Sequence, residues 1–484
     1  MTSSATISNE PACSRDQRVE EVDLLVVGGG KAGKSLAMLR AKAGDKVIMV
    51  ERDKVGGTCI NVACIPTKTL ISAARVLHEV QGSGAYGVTL PEQDGGTDAL
   101  TQARIDLASF RARKEAVVGG MVAAHEKMFP ASGMDFVKGT ARFVGERTVE
   151  ITLNDGGLRR VQGAKVLINT GTTPSVPPID GLADVRYWTS EDLLTLPELP
   201  TGLVVLGGGV IGVEMASLMG LLGVPVTIVH AGQHILDRED EDVAAEVTAG
   251  LEALGVTVLT GARASRVSAA ADGQSVVVTT ADGREATGSH LLVALGRTPV
   301  TAGLGLEAAG VELTERGFVR VDDHLRTTAE NVYAAGDVAG TPQFTHASWN
   351  DFRVLRDLFA GKEASTTGRL IPWAVFTTPE LGHVGMSEAE AREAGYEVRV
   401  AKTPTAAVPR AKTLGHTEGF FKVIIDARTD LILGAAIIGA EASEVVTSIQ
   451  MAMLGDLTWQ QVRDAVITHP TMSEGLNIVL DSLG

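Results

Sequence analysis

Cysteine, positive charge and long apolar runs are all scarce in this sequence, and each shortage excludes something. Three cysteines in 484 residues cannot form a stapling framework, so any disulfide must exist for another reason. A formal net charge of -16 opposes non-specific binding to nucleic acid or anionic membrane surfaces and favours solubility. No apolar run approaches the roughly 20 residues that a membrane helix needs; "LLVVGGG" and "LGAAIIGA" are short and glycine-rich. The opening stretch is polar until Val22 and lacks the apolar core of a signal peptide. Together these absences predict a cytoplasmic protein with neither nucleic-acid nor membrane partners.

Glycine, by contrast, is abundant at 55 residues, in a chain that is 44% hydrophobic and 21% charged. That is a globular composition, and the length calls for two to four domains. In "VDLLVVGGGKAGKSLAMLRAKAGDKVIMVERD", a strand over Val22 to Val27 leads into Gly28, Gly30 and Gly33. A helix follows, then a strand from Lys46 to Val50 that ends at Glu51. This is a complete dinucleotide unit: Gly28 permits the tight turn, Gly30 lets pyrophosphate approach the backbone, and Gly33 lets helix and strand pack closely. Glu51 is placed to accept hydrogen bonds from an adenosine ribose.

"TGLVVLGGGVIGVEMASLMGLLGVPVTIVHAG" repeats the pattern with Gly207, Gly209 and Gly212 between strands at Leu203 to Leu206 and Val226 to Val229. His230 stands where an acid or a basic cluster would close the second strand. Two units predict two dinucleotides, one retained and one exchanging. In "ENVYAAGDVAG" an apolar strand precedes Gly336 and Asp337, whose carboxylate suits a ribitol hydroxyl; taken alone it reads as a solvated loop acid. Residues 101 to 129 read as helical. From residue 366 the chain changes character: "EGFFKVIIDARTDLILGAAIIGA" reads as two strands joined by a turn, and "SEVVTSIQMAMLG" as an amphipathic helix whose Met451 and Met453 fill core.

The chemistry concentrates in "GGTCINVACIPTK", residues 56 to 68. In a regular helix, Cα atoms five apart are separated by about 8.7 Å, whereas a disulfide needs roughly 4.4 to 6.8 Å. Cys59 and Cys64 can bridge only where the helix is distorted or begins late, and Pro66 supplies a reason for distortion. Lys68, four residues after Cys64, projects from the same helix face and favours thiolate character nearby. A zinc site needs about two more ligands, and His78 has no companion at ligand spacing. No metal site is expected, and a redox couple is preferred over an inert buried pair. In "ITHPTMSEGLNIVL", Thr471 and Glu474 have capping-box spacing for a helix start at residue 471. His469 and Glu474 also suit a pair for proton transfer, a reading strengthened by the base that a dithiol enzyme needs.

The cysteine motif, the two turns, "LGRTP", "YAAGDV" and "HPTMSE" stand in this order. From about residue 20 to the end, the chain resembles the flavoprotein pyridine nucleotide-disulfide oxidoreductases, the family of glutathione reductase, dihydrolipoyl dehydrogenase and mercuric reductase. The resemblance implies an α/β fold with two Rossmann-like domains, for FAD and NAD(P), and a C-terminal α+β dimerisation domain. The expected limits are a polar tail over 1–20, the FAD domain over 21–175 and again over 305–365, the NAD(P) domain over 176–304, and dimerisation over 366–484. It further implies that Cys64 faces the flavin, Cys59 meets the substrate, and Lys68 pairs with Glu214. Gly57, Thr58, Gly171 and Asp337 join the first turn and Glu51 around FAD, while His230 and Gly296 join the second turn around the nicotinamide cofactor. His469, supported by Glu474, would reach the site from the other subunit of a homodimer.

Within the family, Val210 replaces a gating tyrosine, and no cysteine follows Cys64, unlike the terminal pair of mercuric reductase. "GGGKAGKSLA", "CIPTKTL", "AAVPRAKTLG" and "THPTMSEGLN" more closely resemble reactive-chlorine-resistance flavoproteins associated with Cu(II) reduction. The acceptor is thus expected to be a metal ion, Cu(II) favoured, with a small disulfide, including lipoamide, as the alternative. A redox-silent FAD-binding protein would have no need of Cys59, Cys64, Lys68 and His469 together. The cations considered for a carboxylate-bearing substrate are Lys31, Lys34 and Arg410, the first two better suited to FAD phosphate or solvent. NADH is preferred over NADPH, because no arginine follows His230 until Arg238.

Overall fold

The computed structural model describes residues 19–91 and 96–484; Cys13 lies outside the described residues. Each glycine-rich turn leaves the central strand of a parallel sheet, and the two sheets follow one plan. In the first, Glu20–Val27 lies between Val47–Glu51 and Leu158–Ile168, parallel to both. Val332–Ala334 flanks the far side of Leu158–Ile168, so a distant segment returns to complete the sheet. Asp135–Phe143 pairs with Val47–Glu51 through its first half, then joins Thr148–Leu153 and Leu158–Ile168 in an antiparallel meander.

In the second sheet, Leu203–Leu206 lies between Val226–Val229 and His290–Val293, and Val256–Leu259 extends the parallel set. Its meander is a separate antiparallel sheet of Ala264–Ala269, Val276–Thr280 and Glu285–Gly288. All four residues of Leu203–Leu206 are buried, as expected of a parallel strand covered on both faces. The third unit is a five-stranded antiparallel sheet in the order Trp373–Val375, Glu380–Gly385, Ile432–Gly439, Phe420–Asp426, Val398–Pro404. Helix Ala442–Leu454 buries Val445, Val446 and Ile449 against it.

One core joins the three units. Leu70, Ile71 and Ala74 of helix Cys64–Gly82 pack with Val213 and Met219 of helix Val210–Leu221 and with Leu381 and Ile438 of the C-terminal sheet. The cysteine helix is therefore fixed where all three units meet. By length and composition, the helical stretch Thr58–Tyr86 qualifies as a membrane span, contrary to the expectation that no segment approaches one. Its apolar face is instead committed to this shared core.

Several expected boundaries shift. The first strand starts at Glu20 rather than Val22, because the Arg159 guanidinium on the neighbouring strand grips the Glu20 carboxylate with two bonds of 2.9 Å. The strand expected at Lys46 begins at Val47, since the Lys46 amide is taken by Asp23 Oδ2 at 2.8 Å. The helix expected over 101 to 129 runs Leu107–Ala131 and is capped by Asp106, whose side chain accepts from the Ser109 amide. Met453 packs against the C-terminal core as expected, but Met451 is exposed. Helix formation after "HPTMS" begins at Gly475, not residue 471.

Candidate active site

The cysteine turn is built on a helix break. Helix Thr58–Val62 stops at Ala63 (φ -142°, ψ -108°), and Cys64 begins a second helix, Cys64–Gly82. Pro66 falls in the first turn of that second helix, where a missing N–H costs little. The discontinuity thus lies before the proline rather than being a kink made by it. Cys64 sits at the amide end of a 19-residue helix, which favours a negative charge on its sulfur.

Both cysteines are free thiols in this structure, and they are driven apart in acidity. A hydrogen bond from Cys59 is the main force lowering the Cys64 pKa to about 6, aided by Thr345 and the Lys68 charge and opposed by burial and Glu214. The same bond, with burial, pushes Cys59 well above the ordinary thiol range. The arrangement is a thiolate receiving a proton donor. Thr345 Oγ1 lies 3.5 Å from Cys64 Sγ; it opens helix Thr345–Phe359 and carries no sequence signature, so only the fold reveals it.

Lys68 Nζ donates to both Glu214 oxygens, at 2.8 and 2.6 Å. Glu214 is buried at 4% exposure and also accepts the Phe376 amide at 3.0 Å. The ammonium further lies 4.8 Å from the Phe376 ring centre. This ion pair ties the cysteine helix, the second glycine-turn helix and the C-terminal unit together. Phe376 is a second residue that sequence reasoning missed.

A cavity of 690 Å³ runs from Glu51 past Asp337 to the thiols. Gly30, Gly57, Thr58 and Gly171 line it, as do Lys68 and Glu214. Gly28 and Gly33 instead serve packing: Gly28 has φ +102°, and a Cβ on Gly33 would meet the Gly28 carbonyl oxygen at 2.7 Å. The Gly29 amide donates to Glu51 Oε2 at 2.8 Å, and the Asp53 amide to Oε1 at 3.0 Å. Asn169, also missed, braces the turn by accepting from the Gly33 amide at 2.9 Å and donating to the Ala335 carbonyl at 2.6 Å.

Asp337 Oδ2 accepts from Thr172 Oγ1 at 2.8 Å, and Arg297 donates to that hydroxyl at 2.7 Å and to the Thr172 carbonyl at 2.8 Å. Burial raises the Asp337 pKa and lowers that of Arg297. Arg297 of "LGRTP" was overlooked beside Gly296, whose Cβ position faces open space. The residues fit FAD. A helix with no side-chain cap at Gly30 offers amides to phosphate, Glu51 and Asp337 line the cavity for hydroxyls, and the thiols close one end.

At the second turn a Cβ on Gly212 would strike the Gly207 carbonyl oxygen, whereas the Gly209 position is open. His230 Nδ1 accepts from the Gly208 amide at 3.1 Å, and its Nε2 meets Asp237 Oδ1 at 3.0 Å. His469 and Glu474 do not line the cavity of their own chain. They pair with each other, Nδ1 lying 2.9 and 3.0 Å from the two carboxylate oxygens, and the His469 side chain is 64% exposed. The expected capping box is half made: the Glu474 amide donates to Thr471 Oγ1 at 3.2 Å, but the carboxylate serves His469. Among the cations considered, Lys34 is buried, donating to the Gly56 carbonyl at 2.8 Å, so it is not free to hold a substrate carboxylate. Burial brings its pKa down to about 8. Lys31 lies 3.8 Å from the Trp349 ring centre.

Residues 22–351 match the pyridine nucleotide-disulphide oxidoreductase family, and residues 371–479 match its dimerisation domain. The chain is 37% identical over 458 residues to the probable pyridine nucleotide-disulfide oxidoreductase RclA of Escherichia coli (strain K12), covering 94% of this chain and 97% of the relative. A dihydrolipoyl dehydrogenase of Haloferax volcanii is 36% identical over 94% of each chain. A mercuric reductase of Bacillus cereus is 34% identical over 96% of this chain and 72% of its own. The solved Cu(II) complex of the HOCl-induced flavoprotein disulfide reductase RclA from Escherichia coli matches with a TM-score of 0.87 at 36% identity, covering 96% of this chain and 100% of that one. The chain belongs to the pyridine nucleotide-disulfide oxidoreductase family, and it is a homodimeric flavoprotein oxidoreductase that uses FAD and NAD(P)H.

Proposed function

We propose that this oxidoreductase passes electrons from NADH through the Cys59–Cys64 pair to a metal ion, with Cu(II) the favoured acceptor. The observation that carries the reading is the placement of the two thiols: both line the cavity, and Cys64 sits at the amide end of its helix, 3.5 Å from Thr345 Oγ1, which favours thiolate at Cys64. Bound FAD supplies two-electron exchange between the nicotinamide and the thiol pair. Lys68, held by Glu214, keeps positive charge beside the Cys64 sulfur. Cys59 is the outward thiol, and soft sulfur ligands suit the Cu(I) that is formed. Each of two Cu(II) ions takes one electron as the Cys59–Cys64 Sγ–Sγ bond forms, and the one thiol proton leaves from Cys59. His469 takes that proton across the dimer, its ring oriented by Glu474.

Support for a metal acceptor comes from the cations. A carboxylate-bearing disulfide calls for free cations near Cys59, yet Lys34 is buried against Gly56, and Lys31, which does line the cavity, has its ammonium over the Trp349 ring. Arg410 bonds only weakly to Thr413, at 3.4 Å, and does not line the cavity. The solved Escherichia coli relative is a Cu(II) complex, which favours the same chemistry.

Reduction of lipoamide or a low-molecular-weight disulfide is the second reading, favoured by the likeness to dihydrolipoyl dehydrogenases. There Cys59 would attack the substrate disulfide and His469 would protonate the leaving thiolate. Anaerobic cofactor oxidation across Cu(II), Hg(II), lipoamide, glutathione disulfide and mycothiol disulfide separates the two. Saturable Cu(II) turnover that is lost in both Cys59→Ser and Cys64→Ser is expected. Saturation with one disulfide, together with a Cu(II) rate indifferent to both substitutions, would overturn the metal assignment.

A further inference from the structure

We infer that Asp237, held through His230, is the acid that reads the adenosine ribose of the nicotinamide cofactor and selects an unphosphorylated 2′-hydroxyl. This rests on the second turn being the nicotinamide-cofactor site, and it names the residue that decides cofactor choice there. The two turns are equivalent in register: Val27 pairs with Val50 before Glu51, and Leu206 pairs with Val229 before His230. They are also equivalent in hydrogen bonding, since Gly29 donates to Glu51 as Gly208 donates to His230. His230 therefore occupies the position of the ribose-binding acid and spends Nδ1 on the backbone. The Gly208 donor leaves the ring proton on Nε2, and that proton goes to Asp237 Oδ1 at 3.0 Å.

The missing carboxylate is thus displaced outward by one imidazole. His230 is nearly buried, at 11% side-chain exposure, while Asp237 is 61% exposed, leaving its carboxylate edge open to a ligand. The position of Asp237 is built rather than incidental. The Leu236 amide, next in the chain, donates to the Gly208 carbonyl at 2.8 Å. On the other side, Glu239 pairs with buried His383 at 3.0 Å, and Asp240 pairs with Lys422 at 2.9 Å. The loop is clamped at both ends, to the glycine turn and to the C-terminal sheet.

A ribose 2′-hydroxyl can donate to this carboxylate. A 2′-phosphate would bring negative charge against it. Arg238, next to Asp237 in the chain, and Arg263 are exposed cations able to offset a phosphate, whereas Arg284 donates to Asp282 and the Thr260 carbonyl and His234 directs Nδ1 at the Ile235 carbonyl at 2.9 Å.

Calorimetric titration of the purified FAD-bound homodimer with NAD⁺ and with NADP⁺ tests the assignment by a ratio of two Kd values. The wild type is expected to bind NAD⁺ more tightly. Asp237→Asn should shrink the NADP⁺:NAD⁺ Kd ratio about tenfold, and Arg238→Ala should not shrink it. His230→Glu places a carboxylate directly at the strand end, as Glu51 stands in the first unit. The double variant His230→Glu/Asp237→Asn should therefore recover the NAD⁺ preference. An Asp237→Asn ratio within about twofold of wild type, or equal weakening of both nucleotides, would overturn the assignment. So would a double variant that fails to recover the preference. Failure of the wild type to bind either nucleotide would instead sink the underlying reading of the second turn.

Discussion

At the first turn the Gly29 amide meets a carboxylate, and at the second the Gly208 amide meets an imidazole. Strand order, glycine spacing and backbone hydrogen bond are otherwise shared. The backbone of a dinucleotide turn therefore requires an acceptor at the strand end, but not an acid. Ligand chemistry is decided by what stands behind that acceptor. In the first unit Glu51 lines the cavity itself; in the second the remaining ring N–H of His230 donates to Asp237. The units also differ in cargo, because only the first carries the thiols.

The sharpest way to break the comparison is at the glycines. Gly212→Ala should cost about 3 kcal/mol or more in urea unfolding, because its Cβ collides with an immobile backbone oxygen. Gly209→Ala, pointing into open space, should leave stability within about 0.5 kcal/mol while weakening nucleotide binding. Equal stability of the two variants would contradict the packing described.

The next largest effect tests how the units are joined. Lys68→Met strands a buried Glu214 with one backbone donor and should destabilise the protein by about 2 kcal/mol. It also removes a charge that lowers the Cys64 pKa. In the wild type the thiolate fraction falls as pH drops through about 6. Iodoacetamide labelling of Cys64 should follow that profile, and in Lys68→Met the profile should shift to higher pH. An unshifted profile would remove Lys68 from the electrostatics of the pair.

Thr345→Val removes a hydrogen bond that lowers the Cys64 pKa at least as much as the Lys68 charge does, so it should slow labelling at pH 6 about fivefold without the loss of stability. The smallest effect is expected of Glu51→Gln, which keeps an acceptor for the Gly29 amide but loses the charge. FAD should dissociate only about twofold faster, about 0.4 kcal/mol, as measured by flavin release on dilution. Loss of the folded turn in that variant would mean that the carboxylate charge, rather than an acceptor, holds the backbone.

The sequence by itself determined the periodic and local features. Glycine spacing between apolar strands identifies both nucleotide turns, and Leu203–Leu206 and Val226–Val229 come out at their observed limits, because buried parallel strands are short apolar runs, ended here by glycine, proline or histidine. The sequence also singled out Cys59 and Cys64 as a pair, and the structure places both on the cavity with Lys68 and Glu214. Tertiary structure alone decided which partners arrive from afar. Thr345 is 281 residues from Cys64, and Asn169 is 136 residues from Gly33; neither separation leaves a periodic trace. The same holds for the displaced acid at the second turn. The sequence shows a histidine where an acid is expected, and only the fold of the following loop brings Asp237 to its ring. Long-range hydrogen bonds and burial set these pairings, and both depend on the closed structure rather than on neighbours in the chain.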